Sequence, residues 1–144
     1  MEKISWIASY PKSGNTWLRF LLCNYFFHHP SNTQELGSLV PDIHHLNSSQ
    51  QDTLRPLSPL MIKTHSPYRE AQISKQLTKN VIYLVRHPKD VILSSINYLH
   101  AKFSPEQCGT PMCIAHDFIK HGGLLRWQKI GFGSLLTHSS SWVN

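Results

Sequence analysis

The sequence predicts an α/β fold in which a parallel sheet is flanked by helices. Short apolar segments with β-branched residues alternate with segments of helical spacing, and each apolar segment ends at a polar loop. Such repeated strand-to-helix units bring the strands together in parallel. Ligands of parallel sheets bind beyond the carboxyl ends of the strands, so residues at those ends are the candidates for function.

The first predicted unit begins with the strand Ile4–Ser9, which ends at Tyr10-Pro11. From Thr16 the apolar residues follow the i, i+3, i+4, i+7 spacing of a helix and predict that this helix packs in the core. These residues are Leu18, Leu21, Leu22, Tyr25 and Phe26. Residues 31–58 are rich in turn formers and are predicted to be mostly loop with one short helix.

The second and third predicted strands cover residues 60–65 and 81–85. The second is stopped by Ser66-Pro67 and the third by Pro88. A helix is predicted to begin near Pro88, because proline is accepted in the first helical turn and Asp90 interacts favourably with the helix dipole. The strand, loop and helix unit therefore occurs twice.

Composition favours one folded domain over residues 1–144, since 40% of residues are hydrophobic and 15% are charged. A formal charge of +6 favours an anionic partner. The basic residues form no long run, so a nucleotide explains the charge at least as well as nucleic acid does. Three cysteines without a repeated spacing favour the cytoplasm, and no segment has the length of a membrane span.

The loop at residues 11–15 has the chemistry of an anion site. Ser13 and Gly14 let backbone N–H groups point at an anion, the following helix adds its positive end, and Lys12 supplies a full charge. The G-x-x-x-x-G-K-[ST] pattern of nucleotide kinases is not met, because Lys12 precedes the only glycine. Taken alone, Lys12-Ser13-Gly14 is better explained as a polar turn between core elements.

The phosphosulfate-binding loop of the sulfotransferase family resembles the run Tyr10-Pro11-Lys12-Ser13-Gly14-Asn15-Thr16-Trp17. The resemblance implies a P-loop-NTPase-like fold and the sulfuryl donor 3′-phosphoadenylyl sulfate (PAPS), with 3′-phosphoadenosine 5′-phosphate (PAP) as product. It also implies that the loop contacts the donor through Lys12, Ser13, Gly14, Asn15, Thr16 and Trp17.

A second segment, from Arg86 through Pro88-Lys89-Asp90 to Ser94, resembles the family's 3′-phosphate segment. The planar guanidinium of Arg86 suits a phosphate, and Ser94 lies about two turns into the predicted helix. By resemblance these two residues bind the 3′-phosphate. Alternatively, Arg86 forms an ion pair on the surface and Ser94 is an ordinary serine on the face of a helix, and neither binds phosphate.

Lys63-Thr64-His65 resembles the Lys-Thr-His of the family's cytosolic members, which implies that His65 is the catalytic base. Sulfuryl transfer needs a proton removed from the acceptor, and an imidazole suits that task. Lys12 and Lys63 are predicted to neutralise charge that develops on oxygen, so the scheme requires no metal. With ten histidines in the chain, a structural role for His65 is the alternative.

The set Cys108, Cys113, His116 and His121 weakly indicates a zinc site, although its spacing departs from the common patterns. The competing interpretation is a resemblance of residues 117–142 to the segment that follows the 3′-phosphate helix in bacterial sulfotransferases. Leu135 departs from that resemblance, since the family often has tryptophan there.

The resemblance implies an incomplete, N-terminal part of a sulfotransferase domain, because the family continues to a later glycine-rich, lysine-containing segment. Exposed apolar surface is expected if the chain stands alone. A nucleotide-binding phosphoryl transferase and a non-catalytic remnant are the alternatives. The former lacks its usual Lys-Ser/Thr pair and a magnesium-binding Asp at a strand end.

The sequence does not identify the small-molecule acceptor, which is a hydroxyl or an amine compound. It also leaves the oligomeric state open. Residues 31–58 and 100–115 are predicted to contribute to the acceptor pocket, because such pockets are built on variable loops.

Overall fold

A computed structural model describes residues 3–46, 59–68 and 78–143 of the chain. Its sheet has three parallel strands in the order β2-β1-β3, with β1 at Ile4–Ser9, β2 at Met61–Thr64 and β3 at Thr78–Leu84. The prediction of a parallel α/β sheet is confirmed. The carboxyl ends of all three strands therefore meet at one edge of the sheet.

The strand β3 begins earlier than the apolar pattern indicates. The polar residues Thr78, Lys79 and Asn80 precede the apolar run, and they extend the pairing until Ile4 lies opposite Thr78. Within the described part of the chain β3 pairs only with β1, and its apolar side chains Val81 and Ile82 are exposed. A strand that is not buried on both faces tolerates polar residues, so hydrophobicity alone underestimates its length.

The helices lie on both sides of the sheet and after its last strand. They are α1 (Asn15–Phe26), α2 (Thr33–Leu39), a 3₁₀ turn (Ile43–His45), α3 (Pro88–Lys102), α4 (Pro105–Cys108), α5 (Pro111–His121), α6 (Leu125–Gln128) and α7 (Leu135–Val143). None of the helices in the described ranges has the length and apolarity that crossing a bilayer requires. The prediction of a helix starting at Pro88 is confirmed, and His87 caps it by accepting the Lys89 N–H.

Two of the three buried clusters pack the helices against the sheet and against the loop that follows β1. The first joins α1 and α2 to the sheet and consists of Ile7, Cys23, Leu36, Val40 and Met61. The second surrounds the phenol ring of Tyr10 and brings in α3, α5 and α6 through Val91, Leu99, Ile114, Phe118, Leu124 and Trp127. Burying each of these large side chains contributes roughly 1.5–3 kcal/mol. The loop that follows β1 is thus anchored in the second cluster by Tyr10.

The apolar stripe that the sequence predicts on α1 is buried only in part, since Leu18 and Leu22 pack against the first cluster. Leu21 is 52% exposed and Tyr25 is 80% exposed, whereas Asn15, Arg19 and Cys23 form the buried side. The side chain of Arg19 turns inward because it donates to the Val40 carbonyl. A backbone acceptor inside the fold thus brings a charged residue onto the buried side of this helix, which residue hydrophobicity does not predict.

Of the predicted loop at residues 31–58, residues 47–58 lie outside the described ranges. The described part contains α2 and the 3₁₀ turn, so it is more helical than predicted. The side chain of Asn32 caps α2 by accepting two backbone N–H groups, which gives the short helix a defined start. The backbone then runs beside β2, where Lys63 N–H donates to the Pro41 carbonyl at 2.8 Å.

Candidate functional site

The loop between β1 and α1 has the backbone of an anion-binding turn. Lys12 has φ +67° and Gly14 has φ +104°, so two left-handed residues flank Ser13. Glycine adopts this conformation at little cost, whereas a lysine held there is unusual and is strained in the loop. When left-handed residues alternate with other conformations in this way, the backbone N–H groups of successive residues point to one side of the loop.

Asn15 fixes this loop to the sheet. Its side-chain amide donates to the Ile7 carbonyl and to Ser9 Oγ, both at 3.1 Å. The residue is buried, and the two bonds tie the first turn of α1 to the end of β1. The position of the helix N-terminus relative to the strand is therefore set by one side chain.

The two phosphate segments predicted from sequence are in contact. Arg86 Nη1 donates to the Lys12 carbonyl at 3.0 Å. The Lys12 ammonium lies 4.3 Å from the centre of the Tyr98 ring, and Tyr98 is one helical turn beyond Ser94 on α3. The loop after β1 and the helix after β3 thus form one wall.

This wall is electropositive. Burial lowers the pKa of the Lys12 ammonium, and the charges of Arg86 and Lys102 lower it further, although Tyr98 opposes them. A cation with a lowered pKa is destabilised by its surroundings, and a bound anion relieves that destabilisation. The arrangement therefore favours a phosphate or a sulfate group as ligand.

His65 follows the last residue of β2 and is held in one orientation. Its Nδ1 lies 2.7 Å from the Ser9 carbonyl, and because a carbonyl only accepts, Nδ1 carries the hydrogen. Its backbone N–H donates to Nε2 of His44 at 3.2 Å. In the described ranges no protein group hydrogen-bonds His65 Nε2, which keeps a lone pair for a proton.

The environment of His65 keeps the imidazole neutral. Burial lowers its pKa to about 3, with a further contribution from the Lys63 charge, while the bond to Ser9 and the Asp42 charge act in the opposite direction. The ring also packs edge-on against Phe132 at 5.7 Å. The residue is therefore unprotonated at neutral pH, the state that a general base needs before reaction.

The Lys63 ammonium is paired with the carboxylate of Asp42. Burial raises the pKa of Asp42, but the Lys63 charge and hydrogen bonds outweigh it and leave the pKa lowered. Burial lowers the pKa of Lys63 more than Asp42 raises it. The carboxylate of Asp42 is ionised, because it has both the Lys63 cation and the His44 N–H as partners.

A cavity of about 520 Å³ lies at the carboxyl edge of the sheet and collects most of the residues that the sequence singled out. Every predicted site residue except Ser13 lines it: Lys12, Gly14, Asn15, Thr16, Trp17, Lys63, His65, Arg86 and Ser94. Ser13 is buried and does not line the cavity, and its hydroxyl has no hydrogen-bond partner among the described residues.

The remaining lining residues were not assigned individual roles from the sequence. They are Pro11, Asp42, His44, His45, Tyr98, Trp127, Ile130 and Phe132. Tyr98 could have been predicted to line the site, because it lies four residues after Ser94 on the same side of a predicted helix. Asp42 and His44 belong to residues 31–58, whereas no residue of the fully described range 100–115 lines the cavity.

The zinc hypothesis finds no support in the geometry. Cys108 Sγ contacts the carbonyls of Phe103 and Gly109, and His121 Nδ1 lies 3.0 Å from both the backbone carbonyl and the carboxylate of Asp117. Within ranges 3–46, 59–68 and 78–143, no three His, Cys, Asp or Glu side chains gather as metal ligands.

The fold and the cavity define an α/β protein with an anion-binding loop, a second basic contact and a neutral histidine at one sheet edge. A family model described as Sulfotransferase domain matches residues 2–144. The chain belongs to the sulfotransferase family.

Individual relatives agree with that assignment. The amine sulfotransferase of Oryctolagus cuniculus is 32% identical over 96 residues, covering 64% of this chain and 32% of the relative. Sulfotransferase 4A1 of Mus musculus is 28% identical over 140 residues, covering 92% of this chain and 46% of the relative. Cytosolic sulfotransferase 3 of Arabidopsis thaliana is 31% identical over 91 residues, covering 61% of this chain and 27% of the relative. The chain thus spans less than half the length of these relatives.

Proposed function

We propose that the chain is the N-terminal part of a sulfotransferase domain that transfers a sulfuryl group from PAPS to a small-molecule hydroxyl or amine. The observation that carries the proposal is that Lys12, Lys63, His65, Arg86 and Ser94 line one cavity. An amine acceptor is among the classes considered because one relative is named an amine sulfotransferase. The three unpaired cysteines support the cytoplasm as the compartment.

The residues present fit the phosphates of the donor. The loop offers N–H groups beside the left-handed residues Lys12 and Gly14, and the buried hydroxyl of Ser13 has no partner among the residues that the structure describes. The 5′-phosphosulfate binds this loop and the N-terminus of α1. Arg86 and Ser94 bind the 3′-phosphate, for which a guanidinium is well shaped.

His65 acts as the base. As the acceptor oxygen or nitrogen forms a bond to sulfur, its proton moves to His65 Nε2, and the electron pair of the breaking S–O bond stays on the departing phosphate. Lys12 stabilises the charge that develops there. Lys63, whose charge is balanced by Asp42 in the ligand-free protein, lies beside His65. The negative donor raises the pKa of His65 from about 3, so the imidazole becomes a stronger base when the site is filled.

Binding of PAP compared with AMP tests the nucleotide assignment, because AMP lacks the 3′-phosphate. We expect PAP to bind the parent more tightly than AMP by roughly 10- to 100-fold, the contribution of a charge-assisted hydrogen bond. Arg86→Ala should remove this preference, while Lys120→Ala, which removes an exposed charge on α5, should keep it. Equal titration curves for PAP and AMP in the parent would contradict the assignment.

Transfer from ³⁵S-labelled PAPS to a panel of alcohols, phenols and amines tests the reaction. His65→Ala should lower turnover by roughly 100-fold or more with little change in PAP affinity, since a general base contributes 10²- to 10⁴-fold. His116→Ala, which alters an exposed histidine of α5, should leave turnover unchanged. Tight PAP binding without turnover would favour a non-catalytic remnant, and magnesium-dependent transfer from ATP would favour phosphoryl transfer.

A further inference from the structure

The helix α7 is bonded to the segment that carries His65. His138 Nε2 lies 2.8 Å from the His65 carbonyl, and Trp142 Nε1 donates to the Ser66 carbonyl at 3.0 Å. Ser141 Oγ accepts the Tyr68 N–H at 3.0 Å. Three side chains on two successive turns of one helix thus hold the segment of four residues that follows β2.

His138 differs from Ser141 and Trp142 because both nitrogens of its ring form hydrogen bonds. A carbonyl only accepts, so Nε2 carries the hydrogen and donates to His65, which leaves Nδ1 as an acceptor. The Tyr83 hydroxyl lies 2.8 Å from Nδ1 and donates to it. Tyr83 thereby fixes the tautomer that His138 needs in order to hold the His65 carbonyl.

The site of His138 is closed and apolar on its remaining sides. Its side chain is completely buried, and the Tyr10 ring meets it edge-on at 5.7 Å. Burial lowers its pKa to about 4, although the bond to the His65 carbonyl opposes that shift. At neutral pH His138 is therefore neutral, as His65 is, and the contact with the carbonyl is maintained.

We infer that His138 is the positioning residue of the catalytic base: by holding the His65 carbonyl it fixes the ring, so that Nδ1 meets Ser9 and Nε2 is directed into the cavity. Two anchors on opposite sides define the orientation of His65, one at its carbonyl and one at its ring. The inference rests on the proposed role of His65 as base, but its geometric part can be measured without turnover.

Two amide variants distinguish the hydrogen bond made by His138 Nε2 from the one made by Nδ1. The side-chain amide of His138→Gln reaches the position of Nε2 and keeps the donor to the His65 carbonyl. The shorter His138→Asn places its amide near Nδ1, where it meets Tyr83 but not the carbonyl. Trp142→Phe is a matched control, because it removes the bond from α7 to Ser66 and leaves the bond to His65 in place.

The first readout is the titration of the His65 imidazole by ¹⁵N and ¹³C NMR, with its signals identified by their loss in His65→Gln. The charged and titratable groups around His65 are Lys63, Asp42 and His44, and all are retained in every variant. In the parent, the Gln variant and the Trp142→Phe control, His65 should keep the Nδ1–H tautomer. In the Asn variant the titration midpoint should rise toward 6.5 by roughly one pH unit or more, since the buried site opens.

The second readout is the rate of sulfuryl transfer, measured as kcat and KM. We expect the Asn variant to lose roughly 10- to 100-fold in kcat with KM for PAPS unchanged, the size expected for a misplaced catalytic group. The Gln variant should recover most of this loss. In a His65→Ala background, His138→Asn should have no further effect.

Two results would overturn the inference. One is a His65 tautomer and titration in His138→Asn that match the parent. The other is loss of the native near-UV circular dichroism in that variant, which would assign His138 to the stability of the fold. An altered His65 signal together with absent turnover in the parent would instead leave the positioning role standing and refute the proposed function.

Discussion

Acidification from pH 7 to pH 5 should destabilise the folded chain mainly through the buried His138 and the partly buried His65. Burial lowers the pKa of His138 to about 4 and that of His65 to about 3, compared with 6.5 in the unfolded chain. Between the folded and unfolded pKa values the unfolded state binds more protons, so stability falls as pH falls below 6.5. The contribution is fully present above that pH and is lost progressively toward the folded pKa.

The magnitude follows from the same values. At pH 5 each histidine is 1.5 pH units below its unfolded pKa of 6.5, which corresponds to about 2 kcal/mol per group at 1.36 kcal/mol per unit. The two groups together give about 4 kcal/mol, a large part of the 5–15 kcal/mol typical of a domain. The lowered pKa of Asp42 keeps its carboxylate ionised through this window, so it adds nothing to the change.

Urea unfolding at pH 7 and pH 5, followed by the fluorescence of the buried Trp6 and Trp127, measures this loss. His138→Gln lacks one titrating group, and its stability should fall by about 2 kcal/mol less than that of the parent over the same interval. Exposed His116→Gln is the control and should follow the parent. If His138→Gln and the parent lose equal stability, then His138 does not titrate with a lowered pKa and the reasoning is refuted.

Two further predictions concern the backbone around the site. Gly123→Ala should lower the free energy of unfolding by more than about 2 kcal/mol, because a Cβ there would lie 2.3 Å from the Tyr10 hydroxyl and φ is +152°. In Gly37→Ala the new methyl meets nothing within 4 Å, so thermal unfolding should shift upward by the equivalent of about 0.5–1 kcal/mol. Equal shifts in both variants would contradict the close approach at residue 123. Asn15→Ala should destabilise by about 1–3 kcal/mol, since two buried acceptors lose their donor, while exposed Asn97→Ala should stay within about 0.5 kcal/mol. A urea midpoint for Asn15→Ala equal to that of Asn97→Ala would show that the anchor of the loop is elsewhere.

The sequence by itself determined the fold class and the chain positions of the candidate site. Apolar segments followed by helical spacing predict parallel strands, and parallel strands bring their carboxyl ends to one edge. Lys12, His65 and Arg86 each follow such an end, so their convergence on one cavity follows from topology. Local signals were sufficient here because strand ends are marked by turn residues and prolines.

Only the tertiary structure decided which partners these side chains have. Asp42 pairs with Lys63 from 21 residues away, and His138 reaches the His65 carbonyl across 73 residues. No spacing rule predicts such contacts, because they depend on how a loop and a distant helix pack beside β2. The same reason applies to α1, where the bond from Arg19 to the Val40 carbonyl places a charged residue on the buried side of the helix.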